Sequence, residues 1–211
     1  MKRKVSIETP WKDNGLTSYK KKQKIEGYFR KIMETLGLDL TDDSLKDTPR
    51  RVAKMYVDEV FSGLLPENFP KATVIENKFA YHEPLIVINI TLNSNCEHHF
   101  IPIVGVAHIA YIPQGKVIGL SKLNRIVQYY SKRPQVQERL NEQIAAKLKE
   151  LLETDDVAVV IDAVHTCVRT RGVQDSSSIT RTMSLSGEFT EAPLEAKQFL
   201  ESIPKSSDFK L

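Results

Sequence analysis

The sequence predicts an α+β fold, and three observations lead there. Two early stretches, 17–37 and 47–63, repeat apolar residues at helical spacing. A run of β-prone segments follows between 73 and 112. Two consecutive helical stretches then separate those strands from a nearly continuous apolar segment, Val157–Val168, and a last alternating one, Ile179–Phe189. Strands in runs with helices grouped together fit α+β rather than a βαβ series.

Residues 1–16 are polar, with Pro10, Asn14 and Gly15, and read as a loose arm. From Thr17 to Gly37, Ile25, Tyr28, Phe29, Ile32, Met33 and Leu36 make an amphipathic helix ended by glycine. Asp47-Thr48-Pro49 opens a second helix as a cap residue followed by a first-turn proline; Gly63 closes it. Arg51 and Lys54 near its start read, on their own, as solvent-facing charges. Thr73–Ala80, Leu85–Leu92 and Val104–Ile112 read as strands, the last stopped by Pro113-Gln114-Gly115. His108, inside that strand, reads as structural.

Gly119-Leu120-Ser121 launches a third helix, with Ser121 as its expected N-cap. A fourth starts near Pro134 and runs to about Glu153. Val157–Val168 reads as a central strand buried on both faces, carrying His165 and Cys167 on one face at its end. Ser176–Ser178 reads as a loop, and 190–211 as a polar tail with a short helical stretch. The expected organisation is an N-terminal arm with helices (1–70), a main α+β domain (71–190) and a C-terminal tail (191–211).

Thirty basic against 27 acidic residues give a net charge of +3, too balanced to argue for nucleic acid as a partner. The basic start leads into Glu8-Thr9-Pro10-Trp11 without an apolar core, so it is no secretory signal. No window has the roughly 18 apolar residues of a membrane span. The expectation is a soluble cytoplasmic protein with reduced thiols and no membrane partner.

The chemistry-bearing residues cluster. Cys96-Glu97-His98-His99 holds one of the two cysteines and two of the five histidines; His165-Thr166-Cys167 holds the other cysteine and a third histidine. Two distant soft-ligand runs are the sequence pattern of a zinc site assembled by folding. A disulfide between Cys96 and Cys167 is the rival covalent reading, but nothing in the chain suggests an oxidising compartment. Three ligands would leave an open catalytic position. Four, with His165 included, would close a structural site, and spacing alone does not choose between them. Ser121, Lys122 and Arg125 at a helix start, with Arg171 beyond Cys167, offer N–H groups and cations for an oligophosphate. Ordinary capping plus exposed basic residues is the plainer reading of the same pattern.

From about Thr17 to Phe189 the chain resembles GTP cyclohydrolase I. The resemblance rests on Asp47-Thr48-Pro49 with Arg51 and Lys54, Ser94–His99, His108–Pro113, Gly119–Arg125, Arg133–Arg139 and His165–Asp175. No position expected to carry chemistry departs from the family pattern. The resemblance implies a tunnelling-fold (T-fold) barrel of antiparallel strands with two layered helices, preceded by N-terminal helices. It implies Zn2+ held by Cys96, His99 and Cys167, with His98, His165 and Ser121 as catalytic residues. Gln137 and Glu138 would read guanine; Lys122, Arg125, Arg171 and Lys54 would hold the triphosphate of GTP. The implied reaction opens the guanine imidazole ring at C8, releases formate and recyclises to 7,8-dihydroneopterin triphosphate, in a homodecamer with active sites between subunits. A related T-fold reductase using a Cys nucleophile would leave the two Cys–His runs unexplained. A structural-zinc module would make His165 a fourth ligand.

Overall fold

The computed structural model describes residues 7–205; residues 1–6 of the expected arm and 206–211 of the expected tail lie outside the described residues. Helix α1 (Ser18–Thr35) starts where the Thr17 hydroxyl accepts the Lys20 N–H. It ends at Gly37, whose φ of +78° lets the chain turn back so that the Leu38 N–H reaches the Met33 carbonyl. Of its apolar stripe only Met33 is buried; Tyr28, Ile32 and Leu36 stay exposed. Helix α2 (Thr48–Lys54) carries Pro49 in its first turn and continues as a wider π-helical stretch, Met55–Val60. Asp47 stands at the cap position, but its carboxylate pairs with Arg50 and makes no cap hydrogen bond.

Strands β1 (Val74–Glu76) and β4 (Lys116–Ile118) form a two-stranded antiparallel sheet. The main sheet, in order β5-β2-β3-β6-β7, contains β2 (Leu85–Cys96), β3 (Pro102–Tyr111), β5 (Pro134–Gln135), β6 (Val157–His165) and β7 (Thr180–Leu185). Its pairs are antiparallel except β5, which runs parallel to β2 at Asn95 and Cys96. A bulge between Val87 and Ile90, with Asn89 at φ +59°, bends β2.

Between β4 and β5 lies α3 (Leu120–Ser131), and α4 (Gln137–Leu152) follows β5. Both helices cover one sheet face: Leu123, Ile126, Leu140, Ile144 and Leu148 pack against Leu92, Ile109, Val159 and Ile161. The short helix α5 (Thr166–Arg169) follows β6; α6 (Glu188–Glu191) and α7 (Pro193–Ser202) follow β7. Phe189, Phe199 and Ile203 seal the other face against Ala110, Ala158 and Val160, so much of the expected tail is packed structure.

Several expectations differ in detail. The first predicted strand shrinks to Val74–Glu76, while β2 runs on to Cys96. Ser121 is not the N-cap: Gly119, in an extended conformation, takes that place without a side-chain bond. The fourth helix starts at Gln137, because Pro134–Gln135 pairs with β2. The central strand stops at His165, so Cys167 lies on a helical turn instead of sharing a strand face with His165. The cause is the neighbouring strand: β3 begins at Pro102, which has no N–H to extend the ladder. The Thr166 hydroxyl bonds the Pro102 carbonyl instead.

The N-terminal layer is fastened at close range. The Gly63 N–H reaches the Lys132 carbonyl, and a Cβ there would collide with the Tyr129 and Lys132 carbonyls. Arg133 donates to the Gly63 carbonyl and to Thr9, and stacks over Tyr129 and Tyr130. Gln143 donates to the Ile7 carbonyl and to Thr9. The arm expected to be loose is therefore docked from Ile7 to Thr9.

A charged cluster is built into the sheet around Asp162. Arg181 grips Asp162 with two hydrogen bonds of 2.7 Å, and His108 Nε2 stands 3.5 Å from the same carboxylate. His108 Nδ1 accepts the Asn89 N–H, so Nε2 carries the ring proton. Burial pushes the Asp162 carboxyl up, but His108 beside it and the bonds from Arg181 outweigh that and hold the pKa at about 2. A depressed carboxylate stabilises the fold fully above its unfolded value of about 4, and that contribution is lost as pH falls through about 2. Asp162→Asn is expected to cost about 2–3 kcal/mol at neutral pH and to flatten the acid limb of stability between about pH 4 and 2. Urea unfolding of both proteins across that range checks both effects.

Candidate metal centre and its surroundings

The β3–β6 register builds the site. Ile103 lies opposite His165, so the end of β6 sits beside the loop that joins β2 to β3. That loop is held tightly. Cys96 N–H bonds the Ile101 carbonyl, Phe100 N–H the Cys96 carbonyl, and Glu97 N–H the Gln135 carbonyl. Phe100 at φ +55° completes the turn. The two Cys–His runs, far apart in sequence, meet as a result.

Ligand atoms of Cys96, His99 and Cys167 all lie within 4.8 Å of one another, a group able to hold a metal ion. Cys96 is buried, Cys167 partly so and His99 exposed, so the group opens outward. Two thiolates with one imidazole match a borderline-soft divalent ion. Burial, then the Cys96 thiol beside it, push the Cys167 thiol up, with Arg171 pulling the other way. Both cysteines are free.

His165 stands beside this group but is held elsewhere. Its Nε2 lies 2.8 Å from Gln137 Oε1. The Gln137 amide nitrogen donates to the Ile161 and Thr180 carbonyls and to Thr182, so its oxygen is the acceptor facing the ring. Nε2 therefore carries the proton. Burial lowers the pKa of His165, with exposed Glu138 acting against that shift. His98 is mostly exposed, with Nδ1 3.6 Å from the Cys96 sulfur. Arg171 Nη1 reaches His99 Nε2 at 2.9 Å.

The remaining predicted residues stand apart. Ser121 and Lys122 lie in the first turn of α3, Ser121 exposed, with no bond among the described residues to the Cys–His group. Arg125 lines a separate hollow with Asp58, Gly63 and Lys132. Lys54 ends α2 and is exposed. One chain thus gathers the expected metal and base-reading residues, while most of the expected phosphate-binding cations face other surroundings.

Sequence reasoning missed Glu97 and Arg139. Arg139 donates both guanidinium arms to Glu97, at 2.6 and 3.3 Å, and anchors the ligand loop to α4. That bond, above all, lowers the Glu97 pKa, against burial. An ion pair 42 residues apart has no local signature. Only the presence of Glu97 between two candidate ligands could have marked it.

A family model for GTP cyclohydrolase I matches residues 25–204. The chain is 60% identical over 194 residues to the GTP cyclohydrolase 1 of Aeromonas salmonicida, covering 92% of this chain and 89% of that protein. It is 56% identical over 197 residues to that of Vibrio cholerae (93% and 91%), and 54% over 197 residues to that of Aliivibrio fischeri (93% and 91%).

Gln137→Leu is expected to leave two strand carbonyls and the His165 ring without their partner. Stability should fall by about 1–3 kcal/mol. In nitrogen-15 spectra, His165 should change from one tautomer to a mixture.

Proposed function

The chain belongs to the GTP cyclohydrolase I family, and on that premise we propose that it is a zinc-dependent hydrolase of GTP. The reaction opens the guanine imidazole ring at C8, releases formate, and rearranges and recloses the product to 7,8-dihydroneopterin triphosphate. One observation carries the reading: Cys96, His99 and Cys167 converge within 4.8 Å beside a histidine that is hydrogen-bonded elsewhere. His165 lies outside that group, which supports three ligands and an open position over a closed structural site.

When bound, zinc would supply Lewis acidity and bring the pKa of water down toward about 7. The residues around it have separable tasks. His165, its Nε2–H held by Gln137, is left with Nδ1 as a base that takes a proton at the reaction centre and passes it to the guanine ring nitrogen as the ring opens. Gln137, expected as a guanine reader, has its amide committed to Ile161, Thr180, Thr182 and His165, so its task is to hold His165. Glu138 is exposed at the start of α4, where its carboxylate accepts from N1–H and the 2-amino group of guanine. Adenine lacks that donor pair, which would leave the carboxylate unpaired beneath the bound base, at a cost of about 1–3 kcal/mol once water is excluded there. His98, exposed and close to Cys96, moves protons at the ribose, with Ser121 near it or near the phosphates.

Arg171 has two settings. A guanidinium only donates, so it needs a lone pair on His99 Nε2. Were His99 to hold a metal through one ring nitrogen, the other would carry the proton, and Arg171 would lose its acceptor and be free for the triphosphate, alongside Lys122, Arg125 and Lys54.

The separation of Lys122, Arg125 and Lys54 from the Cys–His group supports a site completed by a neighbouring subunit. The open edges of the sheet support the same view. Among the described residues β7 has no strand on its outer side, and β2 has only two-residue β5. We read the working form as the family's T-fold barrel closed by several subunits, a homodecamer in the cytoplasm.

Incubation with GTP is expected to yield formate and a pterin absorbance, both abolished by a chelator, while ATP yields neither. His165→Ser should retain zinc and assembly by metal analysis and light scattering, yet lose turnover by about 100-fold or more. Cys167→Ser should lose the metal itself. A His165→Ser protein that sheds zinc and unfolds would favour the structural-site reading.

A further inference from the structure

The loop that carries Cys96 and His99 rests on a strand of only two residues. β5 pairs with β2 at Asn95 and Cys96, and the Gln135 carbonyl accepts the Glu97 N–H. Pro134 has no N–H to add, so backbone bonds alone hold β5 weakly. Its anchor is the Gln135 side chain, which is buried and donates to the Tyr130 carbonyl at 2.9 Å and to Gln143 Oε1 at 2.8 Å. Gln143, also buried, passes the bond on. Its amide nitrogen donates to the Ile7 carbonyl at 2.7 Å and to the Thr9 hydroxyl at 3.1 Å. Carbonyls only accept, so both amides have one orientation, and the bonds run one way from Gln135 through Gln143 to the arm. Both glutamines are buried within a single chain, so this series of bonds does not depend on which faces the ring assembly covers.

We propose that Gln135 and Gln143 are positioning residues for the metal centre, transmitting the seating of the arm at Ile7 and Thr9 to the peptide that follows Cys96. They thereby set how tightly the Cys96–His99–Cys167 group grips its ion, which rests on the zinc reading above. Neither amide is bonded to a ligand side chain among the described residues, so the effect runs through the backbone. Cys96 is tied on two sides: its own N–H bonds the Ile101 carbonyl, and the next N–H bonds the Gln135 carbonyl. The second tie moves if Gln135 does. A loop already held in place gives up little freedom when an ion arrives, whereas a loose one gives up more and binds more weakly. The arm also borders the loop directly, since Thr9, Trp11, Glu97 and His98 line one hollow.

The test follows zinc release from the assembled, zinc-loaded protein into a chromogenic chelator. Gln143→Met keeps the bulk and removes every amide bond. Thr9→Val removes only the hydroxyl, which Arg133 also uses, and Thr9→Ser keeps it. Gln143→Met is expected to release zinc about 10-fold faster or more, with Thr9→Val changed in the same direction and Thr9→Ser at the parent rate. Cobalt-substituted Gln143→Met should show a shifted ligand-field spectrum, which a loss of stability alone would leave in place. Circular dichroism and light scattering check that each variant is folded and assembled. Should Gln143→Met not fold, Thr9→Val against Thr9→Ser, on the half-buried end of the arm, decides the matter. Folded variants with the parent release rate and an unchanged cobalt spectrum overturn the proposal, and so does equal acceleration by Thr9→Val and Thr9→Ser. A parent protein that binds no zinc overturns the zinc reading and this proposal together, whereas a zinc-loaded parent with indifferent variants overturns this proposal alone.

Discussion

The pairing of β3 with β6 is the constraint on which the rest depends. Nine residue pairs, from Ile103–His165 to Tyr111–Val157, lock two buried strands in one register. A slip of one residue would turn every inward side chain outward, and the apolar face under α3 and α4 forbids it. The same register carries the end of β6 to the β2–β3 loop. The hydrophobic core thus sets the distance between the two Cys–His runs, and the chemistry inherits its geometry from packing. Gly105 marks how tight the pairing is, since a Cβ there would collide with the β6 backbone at Asp162 and Ala163.

Polar groups then refine what packing delivers. Gln137 spans from the start of α4 to the ends of β6 and β7 and fixes which His165 nitrogen carries the proton. Arg139 ties the ligand loop to the same helix through Glu97. The first turn of α4 therefore orients both sides of the site while presenting Glu138 outward. On the opposite sheet face the Asp162–Arg181 pair joins β6 to β7 just past the region that α6 and α7 seal. Each arrangement replaces a solvated polar group with a geometrically defined one, the only condition under which such burial is tolerated.

Much of this was legible in the sequence wherever a signal is local. The helices announced themselves by apolar spacing and by Thr17, Gly37 and Pro49. The strands showed in β-branched runs, and the metal group in two Cys–His clusters. The signals that misled were local ones overridden by partners. Ser121 lost the cap to Gly119 because β4 feeds the helix in extended form. Cys167 left the strand because β3 offered no partner beyond Pro102. The Thr73–Ala80 segment found only β4 to pair with, and so kept three strand residues. The Glu97–Arg139 pair and the commitments of Gln137 join distant positions and leave no periodic trace. The arm's docking through Gln143 and Arg133 is of the same kind.

X-ray absorption at the zinc edge of the purified protein tests the central claim most directly. The account predicts two sulfur neighbours at about 2.3 Å, one imidazole nitrogen at about 2.0–2.1 Å, and one further light atom that is not an imidazole. A second imidazole in the coordination shell, or a folded protein whose thiols bind no metal, would contradict it.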